Sequence, residues 1–121
     1  MRASRILLML LRIAVVLQLV VGITLWTGHG YSLLRAHMTV GMIYVLLFWI
    51  IAIIALVKRR HMGLALAALP WGAIVIALGV TQQRILPGDL HWIVRIVHLV
   101  VGLSVMPMAE RLAAAAKPAA V

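Results

Sequence analysis

The chain has 121 residues, of which 66% are hydrophobic, with no cysteine and only Asp89 and Glu110 as acids against eleven Lys and Arg. A soluble domain this short cannot hide so much apolar surface, and long apolar runs place the chain among membrane proteins. The missing cysteines exclude disulfides, iron–sulfur ligation and thioether attachment of a haem, and the two isolated acids leave no carboxylate pair for hydrolysis or proton pumping.

Four spans are expected, at 6–27, 33–57, 62–81 and 90–109, within one domain covering 1–121. The first follows Arg2 and Arg5 and resembles a signal peptide, but it is long enough to cross a bilayer and has no small-x-small cleavage site before His29. Arg12 is expected to snorkel to the headgroups, and Gln18 is a polar group near mid-membrane. Thr27-Gly28-His29-Gly30 reads as a turn. The second span ends at Lys58-Arg59-Arg60. The third carries Pro70 in its first half, where a kink is expected. Leu86-Pro87-Gly88-Asp89 makes the next turn, with Asp89 placed to cap the last span. That span is expected to end near Pro107 to Glu110, leaving a frayed tail over 112–121.

Short connections force neighbouring spans antiparallel, which gives an all-α, four-helix transmembrane bundle running up-down-up-down. Eight of the eleven cations fall at the N-terminus (Arg2, Arg5, Arg12), the middle loop (Lys58, Arg59, Arg60) and the C-terminus (Arg111, Lys117). Alternate topology puts all three on one side, the positive-inside pattern, so both termini are expected in the cytoplasm. The net charge of +9 is thereby explained by the membrane and not by nucleic acid.

The last span carries His91, Arg95, His98 and Gly102, which share a stripe of about 60° on one helix face. A charged Arg and a His inside an apolar helix look into a bundle or cavity and not at lipid. His37-x-x-x-Gly41 in the second span echoes His98-x-x-x-Gly102, and a glycine-bearing helix precedes each, with Gly22 and Gly79. A duplicated two-helix unit would give this pattern. Histidines on two helices, each with a glycine one turn deeper, suit a flat cofactor clamped from both sides, so His37 and His98 are the expected axial ligands of one haem. Depth alone also allows His91 as the partner of His37. Gly41 and Gly102 leave room for a macrocycle, and Arg35 and Arg95 are placed to meet its anionic propionates. Each assignment has a plainer alternative. The histidines could be buried polar groups bonded to carbonyls, Arg95 a snorkelling residue, and the glycines a close helix contact. His29 is expected in solvent and His61 against headgroups. Trp26, Trp71 and Trp92 fit an aromatic belt. Met38, Met42 and Met106 could touch a haem edge.

The run Val94-Arg95-Ile96-Val97-His98, with Arg three residues before His, resembles the ligand helix of membrane b-type cytochromes, the cytochrome b and cytochrome b561-like four-helix bundles. Arg35-Ala36-His37 is similar but one residue shorter. The resemblance implies non-covalent haem b and electron exchange with quinone or another redox partner, such as an extracytoplasmic carrier. Family members typically carry two haems and four ligand histidines. Here the inner side offers only His61, so one haem near the outer face is carried over. The expected setting is a bacterial cytoplasmic membrane, as a homo-oligomer or within a larger complex. The rival expectation is a cofactor-free structural or accessory subunit of a respiratory or photosynthetic complex. A small transporter is disfavoured, because no span is broken near its centre by paired Gly and Pro.

Overall fold

The computed structural model describes residues 2–115, all of it helical apart from short turns. Helix α1 spans Arg2–Trp26, α2 Leu34–Val57, α3 Met62–Thr81 and α4 His91–Ala115, with single 3₁₀ turns at Tyr31–Leu33 and Gln82–Arg84. All four are long and apolar enough to cross a membrane, which marks an integral membrane protein. Large aliphatic side chains such as Ile6, Val16, Val20, Leu46, Ile53 and Val100 stand exposed around the bundle, where lipid would cover them.

Each helix turns inward one stripe with three- or four-residue spacing, the period that keeps one seam of a helix facing its partners. On α2 the stripe is His37, Gly41, Tyr44, Phe48, Ile51 and Ala55. On α4 it is His98, Gly102, Val105, Ala109 and Leu112. On α3 it is Ala65, Ala68, Gly72, Val75 and Gly79, and on α1 Leu11, Ala14, Gln18 and Gly22. The aliphatic halves of the stripes form the core. Leu11, Phe48, Ile51, Val45, Val105 and Leu112 are its largest fully buried side chains. Helix α2 touches all three others, whereas α1 and α3 make no close backbone contact among the described residues, so α2 and α4 form the short diagonal of the bundle.

Polar groups tie the helices at a few points. The Tyr44 hydroxyl donates to the Gly102 carbonyl across the α2–α4 diagonal at 2.9 Å. Trp71 Nε1 donates to Ser104 Oγ at 2.8 Å, so this indole joins α3 to α4 and does not serve an aromatic belt. Trp49 Nε1 donates to the Leu69 carbonyl and lies directly over Gly72. Only glycine leaves space there.

Three sequence expectations change. Helix α4 runs through Pro107 to Ala115, past the expected end at 109, because Ala109, Leu112 and Ala113 pack into the core and outweigh one lost backbone donor. Residues 112–115 are therefore helical, and the rest of the expected tail lies outside the described residues. Arg12 does not snorkel alone, since its guanidinium grips both oxygens of Glu110 at 2.7–2.9 Å and joins α1 to α4. Asp89 makes no capping bond among the described residues. The first turn of α4 is closed instead by His91 N donating to the Gly88 carbonyl and Ile93 N to that of Leu90. Helix α3 continues through Pro70.

Candidate functional site

The inward stripes change character towards the end of the bundle where α1 finishes and α4 starts. There the aliphatic side chains give way to glycine, histidine and glutamine, and a cavity of about 590 Å³ opens between all four helices. This volume lies in the range of small-molecule and cofactor sites, roughly 300–1,000 Å³. His37 and His98 face each other across it on the short diagonal, with ring centres 6.3 Å apart and planes inclined at 63°.

Glycines determine where the two rings sit, though not the glycines expected to clear space around a ligand. A Cβ on Gly22 of α1 would come within 3.3 Å of His37 Cε1, and one on Gly79 of α3 within 3.5 Å of His98 Cε1. Each imidazole thus rests against the bare backbone of the helix that precedes its own. The echo between the two halves of the sequence has a counterpart in packing. Gly41 and Gly102 behave differently from each other. Gly41 is covered by the Gln18 carboxamide, whose Nε2 would lie 2.8 Å from an added Cβ. A Cβ on Gly102 would meet nothing within 4 Å, and Gly102 borders open cavity.

Neither imidazole hydrogen-bonds to protein among the described residues. His37 Nδ1, His98 Nδ1 and Gln18 Oε1 are the buried side-chain polar atoms left without a partner there. A buried polar group without a partner is costly, and these three belong to side chains that line one cavity.

Arg95 and His91 also line the cavity, nearer its mouth. The Arg95 guanidinium lies 5.9 Å from the centre of a Trp26 ring, a cation–π contact that keeps a positive charge half-buried beside the site. His91 Nδ1 lies 3.1 Å from the Ile85 carbonyl, which fixes this ring at the rim as an Nδ1–H donor. Of the two candidate partners for His37, the fold brings His98 and leaves His91 aside. Arg35 is exposed and does not border the cavity, so of the two expected propionate partners only Arg95 reaches the site. Met38 and Met42 line the cavity, while Met106 packs against the core. His29 is exposed, with Nδ1 3.3 Å from Thr27 Oγ1, and His61 is exposed as the left-handed residue before α3.

No group of three or more His, Cys, Asp or Glu side chains converges among the described residues. A bare zinc site needs three or four protein ligands, and this pair does not supply them. Two facing imidazoles suit a metal that brings its own in-plane donors. The 6.3 Å between ring centres would leave room for a metal held at about 2 Å by one nitrogen of each ring. The sequence did not single out Gln18 or Tyr44 as site residues. The signal was available, since both lie on the same inward stripe as the histidines and glycines.

No protein-family model, curated protein or solved structure matches the chain. The functional reading therefore rests on the geometry of this site.

Proposed function

We propose that the chain is an integral-membrane haem b protein that holds one haem between His37 and His98 and carries electrons between quinone, or another membrane donor, and a redox partner. The observation that carries this reading is the facing pair of imidazoles, 6.3 Å apart, in a cavity bordered by bare glycine. Bound there, haem b supplies reversible one-electron transfer.

The chain's own residues do the rest. His37 and His98 hold the metal through neutral ring nitrogens. Gly22 and Gly79 let each ring lie back against a helix and keep the space between them clear. Arg95, steadied by Trp26, offers a fixed positive charge at the mouth for a carboxylate tail. Val45, Val75, Leu99 and Leu103 line the cavity with apolar surface, which would keep water from a bound metal.

The contacts Gly22 with His37, Trp49 with Leu69 and Arg12 with Glu110 support spans that alternate in direction. Together with the cations gathered at the opposite end, that order supports a reading with both termini in the cytoplasm and the haem near the outer face of a bacterial cytoplasmic membrane. In that setting the chain acts as an electron carrier or as a subunit of a larger complex.

The test is the visible spectrum of the full chain, purified from haem-replete cells, before and after dithionite. A sharp six-coordinate, low-spin haem b spectrum is expected. A colourless protein would overturn the reading and leave a cofactor-free structural subunit.

A further inference from the structure

The two halves of the site match closely except at one layer. On α1, Gln18 lies one turn from Gly22, the glycine under His37. On α3 the corresponding position, one turn from Gly79, is Val75. Glutamine reaches across to cover Gly41, whereas valine is too short to cover Gly102, and the space there stays open.

A histidine that holds a metal through one nitrogen normally donates its other N–H to a second-layer acceptor, which orients the ring and makes it a stronger ligand. Neither His37 Nδ1 nor His98 Nδ1 has such a partner in the described residues. The third buried atom without a partner, Gln18 Oε1, is an acceptor. It is one turn from His37 along both helices it bridges, through Gly22 on α1 and Gly41 on α2. One turn is an axial offset of about 5 Å, and an unbranched glutamine can swing its carboxamide over much of that distance by changing rotamer. His98 has no equivalent. Val75 accepts nothing, and the Tyr44 hydroxyl, which donates to the Gly102 carbonyl, is not bonded to His98 Nδ1.

We propose that Gln18 is a positioning residue for His37, its carboxamide oxygen accepting the Nδ1–H of that ring, so that the two axial imidazoles of the site are inequivalent. This rests on the haem reading above. When the site is loaded, Gln18 would strengthen His37 as a ligand and leave His98 the weaker one. The stronger ligand favours the oxidised metal and lowers the potential.

The experiment is haem titration and redox potentiometry on the full chain in detergent, comparing wild type with Gln18→Leu, Gln18→Met and Val75→Gln. Loss of the acceptor is expected to weaken haem binding 10- to 100-fold and to raise the midpoint potential, with low-spin ligation retained. Val75→Gln, which offers His98 an acceptor, is expected to lower the potential. Gln18→Met keeps the side-chain length, so it decides the matter if Gln18→Leu fails to fold. If wild type binds haem and Gln18→Met changes neither affinity nor potential, the role of Gln18 is overturned and the haem reading stands. If wild type binds no haem, the haem reading itself fails.

Discussion

At one end of the bundle Leu11, Phe48, Ile51, Val105 and Leu112 meet with no accessible surface left. At the other end the same four stripes carry Gln18, Gly22, His37, Gly41, Gly79, His98 and Gly102 around an open cavity. Both ends obey one spacing rule, and they differ only in what fills the inward positions. In lipid, helices gain little from hiding apolar surface, so close packing and polar contacts must hold the bundle. The packed end supplies that cohesion. The cavity end, relieved of it, can leave polar atoms unpaired and space unfilled. The close packing is concentrated at the end away from the cavity.

That division can be broken from either side. Phe48→Ala, which empties the packed end, is expected to destabilise the bundle by about 3 kcal/mol, the low end of large-to-alanine core losses because lipid and not water is the alternative surroundings. Unfolding in a mixed detergent series would read it, and any ligand spectrum should be unchanged. Gly72→Ala drives a methyl into the Trp49 indole and should cost about 1–3 kcal/mol, much of it recovered when Trp49→Leu is added. Gly22→Ala should have the opposite signature, with little loss of stability but a weakened site. The effect on haem affinity should be larger at Gly22, where the methyl would crowd His37 at 3.3 Å, than at Gly79, where 3.5 Å is ordinary contact. The smallest effect is expected from Arg12→Gln or Glu110→Gln. That ion pair is bidentate but about half exposed, so its loss should cost about 0–1 kcal/mol in thermal unfolding, less at high salt.

Much of this was legible in the sequence, because a membrane span advertises itself by length and apolarity alone. The four helices, the turns between them and the inward stripe of α4 follow from counting. So does the glycine-bearing helix before each histidine helix, though not that Gly22 and Gly79 are the glycines lying under the rings. Local pattern could not show which glycine does what. Gly41 and Gly102 occupy equivalent places in the repeat, yet one is covered and the other open, because Gln18 sits where its counterpart is Val75. Nor could it show the Arg12–Glu110 pair, whose members are 98 residues apart in the chain. The extension of α4 beyond 109 to Ala115 is hidden for a related reason. Proline and charge read locally as a stop, while burial of Leu112 against the other helices carries the helix on.

The central claim is that His37 and His98 act as one clamp and that His91, held at the rim by the Ile85 carbonyl, does not. Reduced and oxidised spectra of His37→Ala, His98→Ala and His91→Ala test it most directly. The predicted result is loss of the low-spin haem spectrum, or its conversion to high spin, in the first two and its retention in the third. A spectrum that survives His98→Ala but not His91→Ala would contradict the pairing.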